Sequence, residues 1–335
     1  MKVLVTGGAG YIGSTICSVL SEVGHVPIVL DSLISGRREF VKEHIFYQGD
    51  IADRKLLMRI WEEQGPFDCA IHLAGLISVP ESVQHPYEYY RENVEKAIMF
   101  FKNLQELGCK KIIFSSSASV YGNTSEREVT EEHITSPESP YAKTKVVVEE
   151  ILKDYANAYG IKAVALRYFN PIGADPKLRT GSYVKNPSHI LGVLLRAAVS
   201  ETKKMTVTGV NYPTRDGSGI RDYIHVWDLA LAHVSAVEKI DKLSELPNGG
   251  CFEIINIGRG DGVTVKELIR AFEQVVGVKL DVEEGEPREG DVAGAFAVCK
   301  KAEKLLGWKA GLTIEEAIQD ALLWEQRKKI VLNIE

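Results

Sequence analysis

The chain has 335 residues, 45% hydrophobic and 26% charged, the balance of an ordinary globular protein with room for two domains. Its formal net charge of -6 argues against a general nucleic-acid surface, and no apolar run of ~18 residues offers a membrane span. Five cysteines (Cys17, Cys69, Cys109, Cys251 and Cys299) lack Cys-x-x-Cys spacing, so neither a disulfide framework nor a metal site is expected.

No basic segment followed by a detachable apolar one opens the chain, so a cytoplasmic location is expected. Lys2 to Thr6 predicts a buried parallel strand. It runs into Gly7-Gly-Ala-Gly10-Tyr11-Ile12-Gly13 and a helix from Ser14 to about Val23. A second strand, Val26 to Leu30, ends in Asp31. Strand, glycine turn, helix, strand and acid are the context in which spaced glycines signify dinucleotide binding. Gly7 permits a tight turn, Gly10 lets backbone approach a pyrophosphate, and Gly13 lets helix and strand pack closely. The helix N-terminus offers N–H groups and partial positive charge to the phosphates. Asp31, 18 residues past Gly13, is placed to accept hydrogen bonds from ribose hydroxyls and to repel a 2′-phosphate, favouring NAD over NADP. Arg37 and Arg38 follow closely and temper that preference.

The alternation of strand and helix continues through strands at His44 to Gln48, Asp68 to Leu73, Lys111 to Phe114 and Ala163 to Tyr168. This predicts an α/β fold, a Rossmann-type doubly wound parallel sheet with ligands at the carboxyl ends of its strands. Asp50 has two readings, a contact to the adenine amino group or an N-cap for the helix beginning near Asp53. Leu73-Ala74-Gly75 opens another strand end. The serine run Ser115 to Ser119 is either turn-forming or brings one hydroxyl to a substrate. Tyr141 and Lys145 are four residues apart, on one face of a helix that runs to about Tyr159. That spacing is common on ordinary helices. A phenol beside a cation, with a charged nicotinamide near, would nevertheless be a tunable proton acceptor.

After Tyr168 the texture changes to Asn170-Pro171-Ile-Gly173-Ala174 and a loop running to His189. The expected division is residues 1–168 for the cofactor and 169–335 for a smaller α/β substrate domain, with segments interleaving across the boundary. Arg215 to Tyr223 is polar and carries Arg215 and Arg221, suited to pyrophosphate oxygens. Arg288-Glu-Gly-Asp291 reads as a charged turn.

With the glycine turn, Ser117, Tyr141 and Lys145 in this order, the chain resembles the extended short-chain dehydrogenase/reductase superfamily. Tyr168-Phe169-Asn170-Pro171-Ile-Gly173-Ala174 and Arg221-Asp222-Tyr223-Ile224-His225-Val226 make it most similar to the UDP-glucose 4-epimerase family, over nearly the whole chain. The resemblance implies reversible C4 epimerisation of UDP-hexoses with tightly held NAD, in galactose metabolism. Tyr141 would take the sugar 4-hydroxyl proton, Lys145 would bind the nicotinamide ribose, and Ser117 would bridge the 4-oxygen and Tyr141. Implied NAD contacts are Gly7, Gly10, Tyr11, Ile12, Gly13, Asp31, Asp50, Ile51, Leu73, Ala74, Gly75, Asn93, Ser115, Tyr141, Lys145 and Tyr168. Implied UDP-sugar contacts are Ser117, Tyr141, Asn170, Arg221, Tyr223, Arg288 and Asp291. A homodimer through helices of the first half is implied as well.

Three positions depart from the family pattern. Ile77 stands after Ala74-Gly75-Leu76, where a lysine commonly touches the cofactor. Ser188-His189 replaces a pair of asparagines, leaving His189 as a uracil- or phosphate-side contact. Ala295 stands where plain-hexose enzymes tend to carry tyrosine, which would leave space for an N-acetyl group. Ala118 and Ser119, directly after Ser117, cannot supply the acid and base of a 4,6-dehydratase. A UDP-glucuronate 4-epimerase and a non-catalytic NAD-sensing scaffold are the remaining rival readings, and the scaffold would not need Ser117, Tyr141 and Lys145 together.

Overall fold

In β1 (Lys2–Thr6), Leu4 packs on one side of a sheet while Val3 and Val5 pack on the other, all fully buried. A strand apolar on both faces belongs in the middle of a parallel sheet covered by helices on both sides. The computed structural model describes residues 1–124, 126–184, 187, 189–287 and 292–334. The other strands are β2 (Val26–Asp31), β3 (Ile45–Gln48), β4 (Cys69–His72), β5 (Lys111–Ser117), β6 (Glu128–Val129), β7 (Lys162–Tyr168), β8 (Asn170–Ile172), β9 (Lys204–Thr208), β10 (Ile220–His225), β11 (Cys251–Ile257), β12 (Gly262–Thr264), β13 (Asp281–Gly285) and β14 (Phe296–Ala297).

Seven of them form an all-parallel sheet in the order β11-β7-β5-β4-β1-β2-β3. The order reverses between β1 and β4, where a crevice opens beyond the strand ends. Val5, Val29, Ile71, Ile113 and Val164 face the helices Tyr11–Glu22 and Val226–Lys239. Ile28, Ala70, Ile112, Phe114 and Ala163 face the opposite way, toward Lys96–Leu107 and Pro140–Tyr159. The predicted doubly wound sheet is therefore present.

β11 lies far beyond residue 168 in sequence, yet it pairs with β7 along the register Ile255↔Leu166. Other segments of the second half build a smaller body from β8, β10 and β12, the β9–β13 pair, and the helices Ile190–Val199, Val265–Val276 and Ile314–Leu332 around Leu268, Phe272 and Ile318. β6 pairs with β14 and so links the first half to the second.

Local boundaries differ from the sequence reading where turns intervene. Between the helices Pro86–Tyr90 and Lys96–Leu107, Arg91–Glu95 is a π-helical turn that carries Asn93. Such bulges commonly re-aim a side chain at a functional site. β5 extends through Ser115 and Ser116 to Ser117, so the serine run begins inside the sheet.

The helix bearing Tyr141 and Lys145 has well-defined ends. Ser139 caps it by accepting from the Ala142 N–H at 3.2 Å, Pro140 occupies its first turn, and Gly160 ends it at φ +66°. Replacing Ser139 with Ala removes that cap. Ser139→Ala should lower the unfolding free energy by ~1 kcal/mol, read as a shift in denaturant midpoint at unchanged slope.

Candidate active site

The glycine turn is built by close backbone approach. Gly7 has φ +70°, and a Cβ there would lie 2.8 Å from the Ala74 nitrogen. A Cβ on Gly13 would lie 2.3 Å from the Gly7 carbonyl oxygen, so helix and turn meet only without a side chain. At Gly10 the nearest such neighbour is the Gly7 oxygen at 3.3 Å, and this residue caps the helix without a side-chain hydrogen bond. The first-turn N–H groups of the helix thus remain for a ligand.

Asp31 is buried at the end of β2. Its Oδ2 accepts from the Ala9 N–H at 2.9 Å and its Oδ1 from the Leu33 N–H at 2.8 Å. Burial raises its pKa, and the two backbone donors oppose that rise. Each oxygen keeps a lone pair for a ribose hydroxyl. The arginines that tempered the NAD preference engage aromatic rings: Arg37 lies 5.3 Å from the Tyr183 ring centre and Arg38 4.5 Å from that of Phe46.

These residues border a cleft of about 760 Å³ that runs across the switch point into the second half. Its walls include Gly7, Gly10, Tyr11, Ile12, Gly13, Asp31, Asp50, Ile51, Leu73, Ala74, Gly75 and Tyr168 on the cofactor side. Asn170, His189, Arg221 and Tyr223 line the other end. The Tyr11 hydroxyl donates to the Gly173 carbonyl at 2.7 Å and ties the two walls together. A side-chain-free turn, uncapped helix N–H groups and a buried carboxylate at the next strand end fit a dinucleotide.

Tyr141, Lys145 and Ser117 lie behind this cleft. Tyr141 is 7% exposed and Lys145 5%. Ser117 ends β5 in register with Tyr168 of β7, which lines the cleft. The Lys145 ammonium donates to the Ser115 carbonyl at 2.9 Å, using one of its three protons, and stands 5.6 Å from the Tyr141 ring centre. Burial lowers the Lys145 pKa to about 8, and the Glu149 carboxylate opposes the drop. The expected depression of the phenol pKa is not what the protein alone produces. Burial raises it, and a hydrogen bond from Ser117 works against that rise. Desolvation outweighs the hydrogen bond because the site is almost closed to water.

The other predicted residues divide clearly. Asn93 accepts from the Leu76 N–H at 2.7 Å and donates to the Leu76 carbonyl at 2.9 Å and the Thr144 hydroxyl at 3.2 Å. It thereby holds the Gly75-Leu76 segment that follows β4 against the helix Pro140–Tyr159, beside Gly75 at φ +156°. Asp50 is not an N-cap. Asp53 caps the helix Arg54–Gln64, while Asp50 accepts from the Lys96 ammonium at 2.5 Å. The Ser115 hydroxyl is engaged with His233 Nε2 at 2.8 Å, so among its groups the carbonyl serves the site. His189 lines the cleft but caps the helix Ile190–Val199 through Nδ1, which accepts from the Gly192 N–H at 3.2 Å.

Arg221 lines the cleft while donating to the carbonyls of Ile220 at 2.8 Å and Val292 at 3.2 Å. Arg215 instead pairs with Glu267, its Nε 2.5 Å from Oε1. Ala295 packs against the core cluster of Val120, Tyr121, Val129, Phe169 and Ala297 and is not among the residues that line the cleft. Ile77 is 72% exposed at the cleft wall. Arg288 and Asp291 lie outside the described residues.

Lys96, missed by the sequence reading, lines the cleft and also donates to Glu92 at 2.6 Å. The i,i+4 spacing of Glu92 and Lys96 was the available signal. Asp222 was named only as part of a motif. It is a fully buried carboxylate that accepts from the N–H groups of Arg259 at 2.7 Å, Ala297 at 3.0 Å and Gly260 at 3.1 Å, with burial raising its pKa to about 6.

Residues 3–258 match the NAD dependent epimerase/dehydratase family. The chain is 39% identical to the UDP-glucose 4-epimerase of Bacillus subtilis (strain 168), with 97% of each aligned. It superposes with a TM-score of 0.93 on the structure of UDP-glucose-4-epimerase from Stenotrophomonas maltophila with bound NAD and formylated UDP-arabinopyranose. That match has 36% identity and covers 98% of this chain and 99% of that one. The UDP-Glc/GlcNAc 4-epimerase of Campylobacter jejuni gives a TM-score of 0.83 at 32% identity, covering 97% and 99%.

The depressed Lys145 pKa has a consequence for stability. Between about 8 and the ordinary lysine value of 10.5 the unfolded chain holds a proton that the folded chain lacks, so the Lys145 contribution rises with pH through that window. Subtracting the stability of Lys145→Met from that of the intact protein, by urea titration at successive pH values, should give a difference that climbs from pH 8 upward.

Proposed function

Because the chain belongs to the NAD dependent epimerase/dehydratase family, we propose that it interconverts UDP-galactose and UDP-glucose by inverting the configuration at C4. The observation that carries this reading is the grouping of buried Tyr141 and Lys145 with half-buried Ser117 beside a cleft that begins at a glycine turn and continues to Asn170, Arg221 and Tyr223. NAD, held by the glycine turn and Asp31, supplies reversible hydride transfer at C4, so that the sugar passes through a 4-keto form.

The protein's own part is binding and proton transfer. Tyr141 accepts the proton of the 4-hydroxyl and returns it, and Ser117 hydrogen-bonds both the phenol and the sugar oxygen. Lys145 brings positive charge beside the phenol in a site with little water, where such charge acts strongly. Asn170, Arg221 and Tyr223 hold the UDP portion, with Arg288 and Asp291 assigned to the same task from the sequence alone. The reaction has no net redox change, so the cofactor must stay bound between its two half-reactions.

N-acetylated sugars belong to the same reading. Ala295 is a small side chain packed against the cluster that contains Phe169 and Tyr121, and the similar enzyme from Campylobacter jejuni is named a UDP-Glc/GlcNAc 4-epimerase. A homodimer is supported by Ile98, Met99 and Val147, apolar and exposed on the helices Lys96–Leu107 and Pro140–Tyr159. Five unpaired thiols, four of them buried, support a reducing compartment such as the cytoplasm.

Incubating the purified protein with UDP-galactose, UDP-N-acetylgalactosamine and UDP-glucuronate, without added NAD, separates these readings. The 4-epimers of the first two should form. Product from UDP-glucuronate alone would replace the hexose reading, and no acetylated product would remove the role given to Ala295. Tyr141→Phe should fold and retain NAD yet lose about 10²–10⁴-fold in turnover, the usual worth of a positioned acid–base group.

A further inference from the structure

Beneath the catalytic trio runs a polar chain that the reaction as described does not use. Glu149, one turn beyond Lys145 on the same helix, is 1% exposed, and Arg167 on β7 is 3% exposed. Arg167 donates to Glu149 as a fork, Nε to Oε1 at 2.9 Å and Nη2 to Oε2 at 2.6 Å. The Ser116 hydroxyl, fully buried, donates to Glu149 Oε1 at 2.5 Å. Arg167 Nη1 reaches the Tyr121 hydroxyl at 3.1 Å, and that hydroxyl donates to Asn256 Oδ1 at 2.6 Å. Asn256 Nδ2 donates to the Val129 carbonyl at 3.0 Å on β6, the strand paired with β14 directly after Ala295.

A buried ion pair is weak evidence of stability, since apolar side chains of similar volume often serve as well. Its sequence neighbours here are more informative. Ser116 lies between Ser115, whose carbonyl holds the Lys145 ammonium, and Ser117. Arg167 precedes Tyr168 on the cleft wall, and Glu149 shares a helix face with Tyr141 and Lys145. Together with Ser116, the pair therefore ties this helix to β5 and β7, at positions adjacent to Ser117 and Tyr168 on the strands and one turn from Lys145 on the helix.

We propose that Glu149 and Arg167, with Ser116, are positioning residues that set the placement and the charge environment of Lys145 and Ser117 for proton transfer. The proposal rests on the epimerase reading for its turnover test, and its second test is independent of that reading. An apolar replacement would fill the same space without fixing register, because only the fork and the Ser116 bond have direction. The Glu149 carboxylate also acts on the ammonium, opposing the effect of burial. Among the described residues, the titratable groups facing this region include Tyr141 and Glu149 on the helix itself, His72 on β4, Arg167 and Tyr168 on β7, and Tyr121, whose hydroxyl meets Arg167.

Two measurements decide it. The first compares kcat and KM for UDP-galactose in the intact protein and in the double variant Glu149→Leu/Arg167→Met, which removes both charges together so that neither is stranded. Positioning predicts a folded, cooperatively melting variant with kcat reduced about 10²-fold, the scale of a misplacement near 1 Å, and KM little changed. A folded double variant with unchanged kcat would overturn the proposal.

The second follows the rate of Lys145 dimethylation by formaldehyde and cyanoborohydride against pH, by peptide mass spectrometry, in the intact protein and in Glu149→Gln. It needs no substrate, so it stands even if the intact protein turns over no UDP-hexose, an outcome that would count against the epimerase reading alone. The labelling midpoint should fall below about 8 in Glu149→Gln. A midpoint unmoved in a folded variant would mean that Glu149 does not tune Lys145.

Discussion

Lys145 places an ammonium group where water scarcely reaches, and much of the surrounding structure answers that desolvation. The Ser115 carbonyl accepts one of its protons, the rings of Phe114 and Tyr141 present π-faces at 4.9 and 5.6 Å, and Glu149 supplies a counter-charge one turn away. None of these removes the cost of burial, which is why the ammonium titrates low. A cation held so loosely is available to whatever negative charge develops beside it. The same closure that raises the Tyr141 pKa in the protein by itself would amplify the effect of a second positive charge near the phenol.

The sheet makes this arrangement possible. Because its strands are parallel and covered on both faces, their carboxyl ends gather at one edge, and the reversal of order between β1 and β4 opens the crevice there. β1 supplies the glycine turn, β2 supplies Asp31, β4 leads to Gly75, and β5 and β7 end in Ser117 and Tyr168. Chain segments from the second half complete the frame: His233 takes the Ser115 hydroxyl, and β11 extends the sheet beyond β7. The substrate side is thus assembled against the sheet itself, through Tyr11 and Gly173 and through the β6–β14 pair.

The parts legible in the sequence were those whose chemistry is local. Glycines at fixed intervals after an apolar strand, an acid at the end of the next strand, and a phenol four residues before a lysine each carry their meaning within one turn or one strand–helix unit. Asp50 and His189 were harder, because a carboxylate or an imidazole near a helix start caps in some contexts and binds in others. Here Asp53 took the cap that Asp50 might otherwise have made, while His189 caps its helix and faces the cleft at once. Ser115 shows a further limit. Along a strand, alternate side chains point to opposite faces, so its hydroxyl turned toward His233 while its carbonyl turned toward Lys145.

By itself the sequence determined the doubly wound sheet and the dinucleotide turn, since periodicity and residue spacing act over short stretches of chain, whereas Ser117, Tyr141 and Lys145 were singled out as a trio only by the family resemblance. Only the tertiary structure decided how the trio is supported. Glu149 meets Arg167 across 18 residues, Tyr121 meets Asn256 across 135, and Asp222 gathers backbone donors from as far as Ala297, 75 residues on. No local pattern encodes such partners, because a buried charge or hydroxyl is satisfied by whichever donor or acceptor the completed fold brings within about 3 Å.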